Sequence, residues 1–525
     1  MWDNRGQLSH TLGKDGKMMK KIFVAFLTMA MLLSLAACGS GGPSGPAQDS
    51  GASKPRETEA GGEPVHLELY AVSFDTGRMG SLEKVNEAVN DYIRPLINAE
   101  VKLNVISYGS YAQQVNLMMS GSEQVDLLLT TGALTTTLAS RGGLLPLGQY
   151  LESSGQGIIE TMGEDVLSAC RYNGEIYGIP TNRDLARSIC YFYRDDINQA
   201  MGLGLENAKT LEDLEACFDK MLSQDPEMVG YAGSNAATSQ TLYDWEPLCG
   251  NFGVLLNNGE DLTVYNLYET QEYRDYIDTM YRWYQKGYIY KEIDTSTVSG
   301  ADLFATGKML GFIANGNPAQ DNGQSQILGG PIKHIDLVPA VMSSSTVQTA
   351  SWAIPHSSEN PEKAMALLDL MFTDPVLVNL LTYGIEGENY VVVDEANGII
   401  DYPEGTTADS KTYDNTMGWE WGNSLIGYTW QGDSPSLHQD MIRFNQSALR
   451  SRALGFNFDS TEVENELTAC RNVAAKYTVG LEFGKLDPET TLPQFIQELK
   501  DAGIDTIIAA EQEQLDAWAE ANGVK

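Results

Sequence analysis

Apolar residues recur along this chain at two alternating periods. In PVHLELYAVSF (64–74), Val65, Leu67, Leu69 and Ala71 occupy every second position, which predicts a half-buried strand. SLEKVNEAVNDYIRPLI (81–97) switches to helical spacing, with Val85, Val89, Tyr92, Ile93 and Leu96 on one stripe and Ser81 as an N-cap. VKLNVISY (101–108) reads as a second strand and YAQQVNLMMSG (111–121) as a second helix. VDLLLTTG (125–132) is a continuous apolar run, the pattern of a parallel strand covered on both faces. The order strand, helix, strand, helix, strand predicts an α/β domain built on a parallel sheet.

Further on, RYNGEIYGIPTNRD (171–184) predicts a hairpin turning at Asn173-Gly174, and SICYFYRDD (188–196) predicts another strand. Tyr273, Tyr276, Ile277, Met280, Tyr281 and Tyr284 form one helical stripe, a packing surface by its spacing. Asn360-Pro361 starts a helix that carries Ala364, Leu367, Leu368 and Met371 inward. The last third is helical, with Val463, Leu467, Cys470, Ala474 and Tyr477, then Leu492, Phe495, Ile496 and Leu499, as its apolar positions. No internal repeat is visible.

The N-terminal apolar run, Ile22 to Leu35, obeys neither period. It has 14 residues behind Lys20 and Lys21. A membrane-spanning helix needs about 20, so this run predicts a secretory signal peptide within 1–37, with the true start at Met18 or Met19. Its ending, Leu35-Ala36-Ala37-Cys38, resembles the lipobox of bacterial lipoproteins. That resemblance implies a diacylglyceryl (palmitate-type) anchor on Cys38 and a place on the outer face of a Gram-positive cell membrane; an ordinary cleavage site beside a chance cysteine is the other reading. Two or more acyl chains hold a protein stably, at about 0.8 kcal/mol per buried methylene. Gly39 to Glu63, rich in Gly, Ser, Pro and Ala, reads as a flexible tether over 38–63 with a reach of roughly 25–30 Å.

Composition narrows the partners. The chain has 525 residues, 42% of them apolar, and a formal charge of −37. Phosphate binding draws on clusters of Lys and Arg, so no nucleic-acid partner is expected; the negative charge reads as solubility and repulsion from anionic surfaces. Of six cysteines, Cys170, Cys190, Cys217, Cys249 and Cys470 remain beside Cys38, at spacings that match no zinc pattern. No metal or cofactor is expected. Catalytic signatures are missing too: no H-E-x-x-H, G-x-S-x-G, P-loop or G-x-G-x-x-G occurs. Ser81-Leu82-Glu83-Lys84 fits S-x-x-K without its companion motifs, and Ser81 is better explained as a cap.

Several segments, in order, resemble the extracellular solute-binding proteins of ABC importers, of the carbohydrate-binding type: YAQQVNLMMSGSEQVDLLLTTG, GGLLPLGQYLE, YNGEIYGIPTNRDLARSICYFYRDDI, LFATGKMLGFIANGNP and ENPEKAMALLDLMFTDP. The stretch from YGIEGENY (383–390) onward resembles a subgroup of large Gram-positive lipoproteins with an extra C-terminal region. The resemblance implies a two-lobed periplasmic-binding-protein-like fold of type II. Each lobe would be a mainly parallel sheet flanked by helices, with extra helices at the C-terminus. Residues 64–182 and 343–400 would form the first lobe, and 183–342 and 401–525 the second.

It also implies a function: a sugar or oligosaccharide is gripped between the lobes and passed to ABC permease subunits, by a monomer that is not an enzyme. By position, the first lobe would offer Phe74, Asp75, Tyr108, Tyr111, Thr130 and Thr131, with Arg183 and Asp184 just past the hairpin. The second would offer Tyr243, Trp245, Asn315, Asn317, Trp419 and Trp421, with Trp352 near the returning crossing. Sugars call for aromatic faces against their C–H surfaces and planar hydrogen-bonding groups for their hydroxyls. The same fold could hold a peptide or another polar solute instead, and a cell-surface glycosidase or sensor partner is the reading from a different class.

Overall fold

The period-two runs become the strands of two five-stranded sheets. The structure, a computed structural model, describes residues 62–121, 123–232, 245–292, 300–414 and 418–524. Cys38, nearly all of the tether and Tyr243 lie outside the described residues.

In chain order the strands are β1 (Val65–Ser73), β2 (Ala99–Ser107), β3 (Leu127–Thr130), β4 (Ile179–Pro180), β5 (Arg187–Arg194), β6 (Val229–Tyr231), β7 (Met309–Gly316), β8 (Ile332–Met342), β9 (Ser351–Ala353) and β10 (Leu449–Arg450). The first sheet runs β2-β1-β3-β9-β4 and the second β10-β8-β5-β7-β6. In the first, β1 pairs in parallel with β2, setting Leu67 opposite Val101 and Leu69 opposite Leu103. Helix α1 (Leu82–Ile97) lays Val85, Val89 and Ile93 onto this sheet, and all three are fully buried. Each such side chain contributes about 1.5–3 kcal/mol by leaving water. The apolar run at β3 is buried at every position, as a strand covered on both faces must be. Helix α2 (Tyr108–Ser120) then leaves the end of β2 without a break.

The two-lobed α/β architecture is the one expected, but the sheets are more mixed. β9 pairs antiparallel with β3 and β4, and β5 pairs antiparallel with β7 and β8. These are the strands next to the crossings, where the chain enters one sheet against the direction in which it left the other.

Three segments cross between the sheets. Residues 181–186 join β4 to β5, residues 343–350 join β8 to β9, and the third ends at β10. They are stitched together: Thr346 Oγ1 donates to Leu185 O (2.9 Å), and the Leu185 amide donates to Asn445 Oδ1 (2.9 Å). The Asn182 amide donates to Gly422 O (2.7 Å), and Ser424 returns its amide to Asn182 O (3.1 Å). Gly422 has φ +43°, and a Cβ there would lie 2.2 Å from Met371 O, so this crossing needs glycine.

Packing moves the expected lobe boundary. Tyr413 and Trp421 belong to the core of the first sheet, with Phe444 and Ala448 packed against it. The chain therefore enters the second lobe's sheet at β10, near 449, rather than at 401. Helix α3 (Gln271–Lys286) buries Tyr273, Tyr276, Ile277 and Met280, as its stripe predicts. Three helices close the chain beyond α4 (Gln320–Leu328), α5 (Pro361–Thr373), α6 (Pro375–Tyr383) and α7 (Leu437–Ser447): α8 (Glu464–Glu482), α9 (Pro488–Asp501) and α10 (Ile504–Asn522). Their Leu467, Cys470, Phe495 and Leu499 share one core with the second sheet. The C-terminal region is thus part of that lobe rather than an appendage. Cys170, Cys190, Cys217, Cys249 and Cys470 are all free thiols. Among the described residues, no single helix is long and apolar enough to cross a membrane.

Ser81 precedes α1 but makes no capping bond; its hydroxyl meets Thr412 Oγ1 (2.8 Å) and Glu388 Oε1 (3.1 Å). The hairpin is as expected, with Asn173 and Gly174 at φ +49° and +84° between paired strands.

Candidate functional site

Strand ends and crossings place chemistry where the two sheets approach. β1 ends in Ser73, whose hydroxyl donates to the buried Asp414 (2.6 Å), and the next residue, Phe74, is thrown outward with 62% of its surface exposed. β2 ends at Ser107, and Tyr108 opens α2 beside it, 45% exposed. The two rings lie 5.0 Å apart between centroids, tilted by 47°. Trp419 joins them 6.4 Å from Phe74, half-buried, at the turn Gly418–Glu420. The Arg183 guanidinium sits over the Trp419 ring, 5.4 Å from its centroid.

From there a polar series reaches the second lobe. Arg183 Nε pairs with Asp184 Oδ1, and Asp184 Oδ2 accepts from Asn317 Nδ2 (2.7 Å), just past β7. Asn317 Oδ1 in turn accepts the Ala319 amide (2.9 Å). Tyr108, Phe74, Trp419, Arg183, Asp184 and Asn317 thus form one unbroken row of contacts, and all six are residues that position had proposed. Asn315 is exposed two residues before Asn317 on β7, and Thr131 is half-exposed after β3.

Other candidates turn away. Thr130 is fully buried, bonded to Thr135 Oγ1 (2.6 Å) and Ser351 O (3.0 Å). Tyr111 is buried and donates to Leu129 O (2.6 Å). Trp352 has no exposed surface, and its indole N–H donates to Glu420 O (2.6 Å). Trp421 is buried and stacks on Trp352 at 5.8 Å. Trp245 is buried in the second core, edge-on to Tyr276. Asp75 does not turn away: it is exposed beside Phe74, and its carboxylate accepts the Gly77 amide (3.2 Å) and pairs with Arg78 (2.8 Å). Thr130, Tyr111, Trp352, Trp421 and Trp245 are thus packed into the scaffold in this arrangement.

One neighbour of the row escaped the sequence reading. Glu420 is buried between the two tryptophan positions and accepts the Val72 amide at Oε2 (3.1 Å). Burial raises its carboxyl well above the usual range and Asp414 nearby adds to that, while the Val72 amide pulls the other way. A polar residue inside a W-E-W triplet carries no periodic signal that would mark it as buried. Next to the row, a cavity of about 170 Å³ is lined by Gly418, Ala319, Tyr383, Tyr428, Trp430 and Met441. A wider groove of about 850 Å³ lies elsewhere, between the 171–174 hairpin and the C-terminal helices, lined by Tyr172, Asp459 and Trp518.

This arrangement offers flat apolar faces on one side, donors and acceptors on the other, and no nucleophile-base pair within the row. It is suited to holding a polar, ring-bearing solute.

Comparison with known proteins gives consistent results. Residues 92–376 match the family model described as bacterial extracellular solute-binding protein, and residues 452–520 match one described as a domain of unknown function. A carbohydrate ABC transporter substrate-binding protein of Streptococcus pneumoniae is 24% identical over 95% of this chain and 98% of its own length. Lipoprotein LipO of Bacillus subtilis is 24% identical over 56% of this chain and 62% of its own. Among solved structures, an N-glycan transport solute-binding protein from S. pneumoniae superposes with a TM-score of 0.78 at 21% identity, covering 87% of this chain and 99% of that one. The same protein in complex with Man5GlcNAc superposes at 0.68.

Proposed function

This chain belongs to the bacterial extracellular solute-binding proteins, and from that membership we propose that it captures an oligosaccharide at the row from Tyr108 to Asn317 and delivers it to an ABC permease. The family is one of binding proteins rather than enzymes, so the ligand leaves unchanged. The carrying observation is the row itself: three aromatic rings, a guanidinium, a carboxylate and an amide in consecutive contact across the junction of the lobes. Rings of Phe74, Tyr108 and Trp419 would take the C–H faces of successive sugars, and Arg183, Asp184 and Asn317 would take their hydroxyls. The Arg183–Asp184–Asn317 bonds would re-form around the ligand as the crossings flex. A ligand that touches both lobes only when they close shifts the population toward closure.

The glycan-binding relatives support this ligand class. A lipid on Cys38 would keep the monomer at the outer face of the membrane, within reach of the permease, and the lipoprotein name of one relative supports that placement. The test is a melting-temperature panel of oligosaccharides and short peptides against the purified protein. A ligand at 100 times its Kd adds about 2.7 kcal/mol of stability, which is a readable shift. Glycans raising the melting temperature would support the assignment; a response to peptides alone, or to nothing, would overturn it.

A further inference from the structure

On one face of the second sheet, Cys190 of β5 lies directly opposite Asp336 of β8. His334 stands two residues before Asp336 on the same strand, so the pleat turns all three side chains to the same face. One ligand atom from each lies within 4.8 Å of the others. The Cys190 thiol donates to Asp336 Oδ1 (3.1 Å), and His334 Nδ1 pairs with the Asp321 carboxylate on α4. The sulfur has space reserved for it: a Cβ on Gly316, across the sheet on β7, would lie 2.0 Å from Cys190 Sγ. Cys190 is buried, His334 half-buried and Asp336 exposed, so the group is closed by the sheet and reachable from solvent.

We propose that Cys190, His334 and Asp336 bind a divalent transition-metal ion of the zinc type, with Asp321 as the carboxylate that orients His334. Thiolate, imidazole and carboxylate together suit zinc; calcium and magnesium take oxygen ligands alone. A carboxylate behind a ligating histidine is the common outer partner of such sites. Binding displaces the thiol proton to solvent and leaves a metal–thiolate bond. The site lies apart from the ligand row but is coupled to it by the chain. Asp321 and the next residue, Asn322, open the helix that follows Asn317, and Asn322 Nδ2 donates to Asp433, just before α7. An ion would therefore pin α4 at the edge of the cleft.

The test strips the full chain with a chelator and titrates it with Zn²⁺ and Co²⁺. The expected result is one equivalent bound, with a thiolate-to-cobalt charge-transfer band. Cys190→Ser should abolish the band even though Cys38 is present, and His334→Gln should weaken Zn²⁺ affinity at least ~10-fold. Asp336→Asn changes an exposed side chain, so it serves where a buried substitution fails to fold; it too should weaken binding, while Asp321→Asn should weaken it less. No bound equivalent, a cobalt spectrum without the band, or affinity unchanged in Asp336→Asn would overturn the site.

Discussion

Replacing Trp419 and Trp421 by alanine, one at a time, should produce opposite phenotypes from neighbouring positions. Trp419 is half-buried: its ring lies 6.4 Å from Phe74 between centroids, sits under Arg183 at 5.4 Å and packs against the first core, so only its exposed part is open to a ligand. An aromatic platform contributes about 0.5–1.5 kcal/mol beyond simple burial. With the apolar area a sugar covers, the total loss is about 1–2 kcal/mol, or roughly a 5- to 30-fold higher Kd. Trp421 is buried and stacked on Trp352 at 5.8 Å. Its truncation leaves a cavity beneath the first sheet and should cost about 3–5 kcal/mol of stability. Titration calorimetry with the glycan that shifts the melting temperature most, paired with urea unfolding, separates the two effects. Trp419→Ala should bind weakly and unfold almost normally; Trp421→Ala should unfold early, and what remains folded should bind well. The reasoning fails if Trp419→Ala keeps its affinity, or if Trp421→Ala loses affinity at full stability.

Three further outcomes follow from burial and backbone geometry. Glu511 is fully buried, and burial lifts its carboxyl to about 8. The unfolded chain releases that proton near its ordinary value while the folded chain keeps it, so stability falls as pH rises from about 5 to 8. Glu511→Gln should remove that slope, gaining up to roughly 4 kcal/mol relative to the native chain between those limits in pH-dependent unfolding. Gly422→Ala should lower the melting temperature sharply and cost at least about 2 kcal/mol, because the new Cβ would meet Met371 O at a positive φ. Among the five described cysteines, a thiol reagent should label Cys249 first in the native, metal-free protein, since Cys170, Cys190, Cys217 and Cys470 are buried; those four should react only in denaturant.

Element type and order were legible because each strand and helix repeats its apolar positions over many residues. β1, α1, β3 and α3 follow from that repetition, and Asn173-Gly174 announces its turn. Side-chain direction at strand ends was less legible, because one residue decides it. Thr130 is the last residue of a strand covered on both faces, so it is buried whichever way it points, while Thr131 beyond it is half-exposed. Tyr111 lies one helical turn after Tyr108, on the side facing β3. Trp419 and Trp421 would share a face in an extended strand. The tight turn at Gly418–Glu420 sends one out and the other in. The return of 413–421 to the first core was not legible either, since it depends on contacts such as Ser73 with Asp414, 341 residues apart. Asp75 is exposed where position placed it, with its carboxylate engaged by its own turn at Gly77 and Arg78.

A crystal structure of the protein soaked or grown with its best-binding glycan tests the account most directly. A sugar ring against Trp419, with its hydroxyls on Arg183, Asp184 or Asn317, is the predicted result. A glycan seated in the groove between Tyr172 and Trp518, with the Trp419 face bare, would contradict it.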